Sequence, residues 1–141
     1  RAVVATLPLF RGLTSDALAE LAAAPTRRFA RGEYLWTAGA EPRGLLVVLS
    51  GRVRVIRAAD GRQSAVHTEG PGGTLGEVSF FSGGRYPASA VAAEPTLCLT
   101  LDHATLARAI AKDPDLAVRW LARLAMRVRG LVERLEQETS R

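Results

Sequence analysis

The chain is poor in cysteine and lacks any long apolar run, and each shortage removes a class of function. Its one cysteine, Cys98, rules out an internal disulfide and any zinc or iron-sulfur site built from several thiolates. What remains for it is a small buried residue within "TLCLTL", in a reducing compartment. No apolar stretch approaches the roughly 20 residues that span a bilayer, and no charged-then-apolar leader opens the chain; no membrane partner is expected, and the expected location is cytoplasmic. Acidic residues are outnumbered, 14 Asp and Glu against 19 Lys and Arg, for a net charge of +5. That excess is almost wholly arginine, whose planar fork suits phosphate. The arginines are scattered, however, which describes a solvated face better than a nucleic-acid surface. No paired carboxylates and no Ser, His and Asp set stand at a telling spacing, so an enzyme is not expected. No metal site is expected. The first residue is Arg1 rather than Met, and two readings stay open: a piece cut from a longer regulator, or a unit complete in itself.

What is present is enough for one domain with an appendage: 141 residues, of which 48% are hydrophobic, can bury a core without staples. The opening "LPLFRGLTSDALAELAAAP" reads as a short helix, with Thr14 or Ser15 as cap, Asp16 at its positive end, Leu18 and Leu21 on one face, and Pro25 as the stop. From Arg27 to about Asp102, short Val-, Leu- and Thr-rich segments alternate with glycine-bearing turns, the punctuation of strands. "EYLWTAG", "GLLVVLS" and "GRVRVIRA" are strand candidates, the last with Val53 and Val55 inward and Arg52 and Arg54 outward. Asp60-Gly61 signals a hairpin, and "SAVHTE", "ASAVAAE" and "TLCLTLD" supply further strands. So many short strands imply a sandwich or barrel.

After Asp102 the period becomes helical. Asp102 caps "HATLARAIAK", and Asp113-Pro114 starts a second helix that runs to the end with only Gly130 as a weak point. Leu121, Leu124, Val128, Leu131 and Leu135 fall three and four apart, a seam of about two heptads. A terminal helix that outgrows its domain and is mostly charged away from one stripe needs a partner. A homodimer through this seam is therefore expected. Arg127 and Arg134 flank the seam with no obvious acidic partner. The boundaries expected are 1–112 for the β-rich domain with its N-terminal helix, and 113–141 for the long helix.

One segment carries chemistry. In "LGEVSFFSGGRYPASAV", Gly76-Glu77 closes a turn and Val78 to Phe81 form a helical turn whose first amides are free to face an anion. Glu77 can accept from sugar hydroxyls, and an arginine a few residues on can fork onto a phosphate. Sugar plus phosphate describes a nucleotide. The bland alternative for Glu77 is to accept backbone amides or to pair with an arginine such as Arg85.

The order of "LPLF" with Leu13, "RGEYLWTAG", "LLVVLSGRVRV", "DG", "GPGGTLGE" and "ASAVAAE", closed by a long helix, resembles the sensor half of the CRP/FNR family of bacterial transcription regulators. The resemblance covers nearly the whole chain and rests on order and spacing together. It implies a mainly β fold with flanking helices: a double-stranded β-helix, or jelly-roll barrel, of the cyclic nucleotide-binding type, followed by a dimerisation helix. It also implies a small-molecule effector held by Gly76, Glu77, Val78, Ser79, Arg85, Ala88 and Ser89. In family members that bind cyclic AMP, the glutamate matched by Glu77 contacts the ribose, and an arginine before a small pair holds the phosphate. That arginine's place falls on Pro87, which has neither charge nor amide donor. Arg85, two residues earlier, reaches the cradle only if the Gly83-Gly84 loop shifts. Three readings stay open: another small effector, a cyclic nucleotide, or no ligand. Haem, which some members bind, would rest on the lone strand histidine His67 and is not expected; His103 is expected to face solvent.

CRP/FNR regulators continue into a helix-turn-helix domain. The pattern "HATLARAIAKDPDLAVRWLARL" is not that domain, because its second helix is long and carries an apolar seam. DNA contact is therefore expected only through a domain not present in this chain. The alternative is a stand-alone or fused regulatory module that controls an enzyme, channel or protein partner.

Overall fold

The computed structural model describes residues 2–59 and 61–139. Helices α1 (Ala2–Thr6) and α2 (Ser15–Ala22) lead into β1 (Thr26–Phe29), β2 (Tyr34–Trp36), β3 (Leu45–Ser50), β4 (Val53–Ala59), β5 (Arg62–Glu69) and β6 (Thr74–Leu75). A short helix α3 (Glu77–Ser82) interrupts the strands before β7 (Ser89–Ala92) and β8 (Thr96–Leu101), and α4 (His103–Lys112) and α5 (Asp115–Thr139) close the chain. The strands form two four-stranded sheets, β1-β8-β3-β6 and β2-β7-β4-β5, with every pairing antiparallel. This is the jelly-roll sandwich with a long C-terminal helix that the family resemblance implies.

The run "LLVVLS" shows why the sandwich sits where it does. All of Leu45 to Leu49 are buried, and the pleat sends alternate side chains to opposite faces. Leu46 and Val48 join Phe29, Leu35, Val53, Leu75, Ala90 and Cys98 between the sheets. Leu45, Val47 and Leu49 face the helices, packing with Phe10, Leu21, Leu116 and Trp120. One strand thus serves two cores, which explains its unbroken apolar character. Burial pushes the Cys98 thiol up to about 12, so it is no nucleophile at neutral pH.

Local signals set the helix ends. The Thr14 hydroxyl accepts the Ala17 amide at 3.3 Å, and Asp102 Oδ1 accepts the Thr105 amide at 2.7 Å, a bond that holds the Asp102 carboxyl below its ordinary value. Asp113 does more than start a helix. Its Oδ2 accepts the Thr14 amide at 2.9 Å and its Oδ1 the Asp115 amide at 3.1 Å, joining the starts of α2 and α5.

Three elements go beyond the sequence reading. Helix α1 precedes the segment read as helical, β1 is formed by "TRRF", and β6 has two residues. The β4–β5 hairpin pairs as far as Ala59 and Arg62, and Gly61 takes a positive φ of 74°; Asp60 lies outside the described residues. No helix among the described residues is long and apolar enough to cross a membrane.

Gly51, between β3 and β4, is the tightest glycine. Its φ is +93°, and a Cβ there would overlap the Pro95 carbonyl and Thr96. Gly51→Ala is expected to destabilise the fold by about 3 kcal/mol, the sum of left-handed strain and overpacking against backbone. Gly61→Ala, at a turn with nothing within 4 Å, should lose only about 1 kcal/mol. Urea unfolding of both variants checks this, and equal losses would show that the Pro95 loop simply yields.

Candidate functional site

The cradle segment folds as a turn, a short helix and a return strand. Gly76, at φ +83°, caps α3 without a side-chain bond. A Cβ there would lie at ordinary contact distance, 3.4 Å from the Gly44 carbonyl and from Trp36, and 3.5 Å from Tyr86. It is the positive φ that requires glycine here. Within α3, Ser79 and Phe80 are buried, while Val78 and Phe81 face outward, 69% and 51% exposed. Gly76 and Glu77 therefore stand where the expected cradle begins.

The polar groups around it are already engaged. The Ser79 hydroxyl donates to the Arg85 carbonyl at 3.1 Å, and the Ser89 hydroxyl accepts the Ala38 amide at 2.9 Å. The Ala88 carbonyl accepts the Trp36 indole N–H at 2.9 Å. Arg85 turns away from the cradle: its guanidinium donates to the Gly39 carbonyl at 2.9 Å and pairs with Glu41 at 2.9 Å, both side chains well exposed. Tyr86, one residue on, is 4% exposed and stacks on Trp36 with centroids 4.1 Å apart. Its hydroxyl accepts the Arg43 amide at 3.0 Å. Backbone bonds from Gly39 to Tyr86 and from Tyr86 to Ala40 complete a zipper between residues 37–44 and 85–89.

Glu77 is the buried acid of the site, 4% exposed, and its partners come from α5. Oε2 accepts the Trp120 indole N–H at 3.1 Å, and Oε1 pairs with the Arg127 guanidinium. The same guanidinium bonds Glu69 at 3.0 Å, with the Thr74 hydroxyl at 3.3 Å and its carbonyl at 3.4 Å. One cation thus ties the end of β5, β6 and α3 to α5. Two expectations are corrected here. Arg127 has two acidic partners rather than none, and the arginine that Glu77 pairs with is Arg127 rather than Arg85. A charge buried this deeply is stable only when paired and hydrogen-bonded, which α5 provides.

Helix α5 consequently has two faces. Leu116 and Trp120 are buried in the helix-side core, Leu124 is half-buried against it, and Arg123 donates to the Gly72 carbonyl at 3.2 Å. The other side is open: Leu121, Val128, Leu131 and Leu135 are between 54% and 66% exposed, as are Val118 and Met126. Of the five expected seam residues, Leu124 alone is shared with the domain's own core. Trp120 and Arg127 were not read as site residues, although the spacing Leu116, Trp120, Arg123, Arg127 marks an inner stripe. His67 is on exposed β5, 3.9 Å from Glu69. His103 is exposed as a residue, but its ring does not simply face solvent: it stacks on Phe80 at 3.9 Å and its Nε2 lies 2.8 Å from the Phe80 carbonyl.

Comparison with known proteins matches this architecture. The family model described as "Cyclic nucleotide-binding domain" matches residues 26–113. The "CRP-like cAMP-activated global transcriptional regulator" of Mycobacterium tuberculosis is 30% identical over 133 residues, covering 90% of this chain and 58% of that protein. The chain therefore spans little more than half the length of that relative. The crystal structure of the Thermus thermophilus catabolite activator protein superposes with a TM-score of 0.84 at 31% identity, covering 94% of this chain and 63% of that one. The regulatory subunit of a cAMP-independent protein kinase A from Trypanosoma cruzi, bound to guanosine, gives a TM-score of 0.70 at 29% identity over 84% of this chain and 43% of that one. The chain belongs to the cyclic nucleotide-binding domain family and, within it, is related to the CRP-like regulators.

Proposed function

We propose that this chain is the effector-sensing and dimerisation domain of a CRP/FNR-type transcription regulator, responding to a small molecule other than a standard cyclic nucleotide. DNA is read only by a domain outside this chain. The observation that carries the choice of effector is the state of the cradle. Pro87 stands where the phosphate-binding arginine is expected, Arg85 is spent on Gly39 and Glu41, and Glu77 is held by Trp120 and Arg127. A cyclic nucleotide would find neither a free guanidinium nor a free carboxylate.

The same contacts suggest how sensing is transmitted. Any effector that engages Glu77 competes with Trp120 and Arg127, so its binding energy is drawn on the seat of α5. The change in helix packing can be no larger than the effector's preference for one seat over the other. Calorimetric titration with cyclic AMP and then cyclic GMP is the test. No heat and no thermal stabilisation are expected from either. Micromolar binding that disappears in Arg85→Ala would overturn the reading, because the arginine would then have swung into the cradle.

A second reading, a regulatory module that controls an enzyme, is favoured by the likeness to the kinase regulatory subunit. The residues encoded after "LEQETSR" discriminate. A short helix pair with a polar second helix supports the transcription regulator, and a catalytic domain supports the alternative.

A further inference from the structure

A cavity of about 340 Å³ opens at one end of the sandwich, between β1 and β3 on one side and β2 on the other. Its apolar lining is Leu35 and Leu46, both buried. One wall is aromatic, built from Tyr34 and from Trp36, which is held against Tyr86 by stacking and by its bond to Ala88. Arg27 and Arg43 also line it. Neither guanidinium has an ion-pair partner among the described residues, and Arg27 rests 4.9 Å over the Phe29 ring. Glu41, the lining acid, is neutralised by Arg85.

We infer that this cavity binds a small planar aromatic carboxylate, its ring between the aromatic wall and the leucines and its carboxylate on Arg27 and Arg43. The volume lies at the lower end of the range for small-molecule sites, about 300–1,000 Å³, which suits a single ring better than a nucleotide. An indole fixed in place offers a flat surface at no further entropic cost. Two unpaired guanidiniums favour a carboxylate, whose geometry their forks match. Neither Glu77 nor any α5 residue lines this cavity; it shares with the cradle reading only the position of Arg85, which pairs with the lining Glu41.

Benzoate is the probe, with benzamide as the uncharged control and cyclohexanecarboxylate as the non-aromatic one. Titration of the whole chain is followed by the NMR resonance of the Trp36 indole N–H, assigned with Trp36→Phe. Benzoate is expected to shift that resonance saturably with a Kd near 1 mM, the affinity reasonable for so few atoms. Arg27→Gln and Arg43→Gln, both at exposed side chains that do not threaten the fold, should each weaken binding about tenfold, the value of one charge-assisted bond. Both controls should bind at least as weakly as benzoate does to those variants. No saturable shift at about ten times the expected Kd, an equal response to benzamide or to cyclohexanecarboxylate, or binding unchanged in the double arginine variant would each overturn the proposal.

Discussion

Arg127→Ala is expected to cost about 3 kcal/mol of folding stability. The variant leaves Glu77, with its side chain 3% exposed, and Glu69, at 16%, facing the same space without the cation that joins them. Removing one partner of a buried ion pair typically costs about 3–5 kcal/mol, because the other charge stays behind in low dielectric. The lower end applies because Arg127 is itself 34% exposed and water can follow the truncation. Glu77→Gln should cost less, about 1–2 kcal/mol: its one amide oxygen keeps the bond to Trp120 or to Arg127 but not both, since they meet different oxygens, while Arg127 still has Glu69. The double variant Glu77→Gln with Arg127→Ala should cost less than the sum of its parts, with a coupling of about 1–3 kcal/mol. Urea unfolding gives all three values. A loss below about 1 kcal/mol for Arg127→Ala would make the contact an ordinary surface pair and leave Trp120 as the link from Glu77 to α5.

The contrast between what was and was not legible in the sequence follows the range of the forces involved. Caps at Thr14 and Asp102 were readable because the side chain and the amide it accepts are three residues apart. The alternation of Val53 and Val55 with Arg52 and Arg54 was readable because the strand's pleat has a period of two. Strand β1 was not, since "TRRF" becomes a strand only by pairing with β8, some 70 positions away, and β6 needs β3 in the same way. The turn at Gly76 and the helix start at Glu77 were legible in the Gly-Glu pair. The cradle's wiring was not. Glu77 meets its partners 43 and 50 residues later, and a heptad reading assigns Arg127 to the flank of an outward seam. Only the 3.6-residue period, followed back to Leu116 and Trp120, turns that arginine inward.

Charging the outer stripe of α5 should have the second large effect, on assembly rather than on folding. Leu131 and Leu135 are 54% and 61% exposed in the single chain, so Leu131→Glu with Leu135→Glu should leave monomer stability within about 0.5 kcal/mol of the parent. In a two-helix dimer the same side chains interdigitate, and symmetry doubles every change. Loss of about 2 kcal/mol at the seam from each copy weakens association by roughly a thousandfold, which sedimentation equilibrium would show as a monomer at concentrations where the parent is dimeric. Leu124 is the wrong residue for this purpose, because it also packs on the domain's own core, and a charge there would confuse unfolding with dissociation. A dimer that survives both substitutions would place the interface elsewhere on the molecule. An unchanged dimer together with an intact Glu77–Arg127 contact would separate two roles that α5 is proposed to join: seating on the cradle through its inner stripe, and pairing through its outer one.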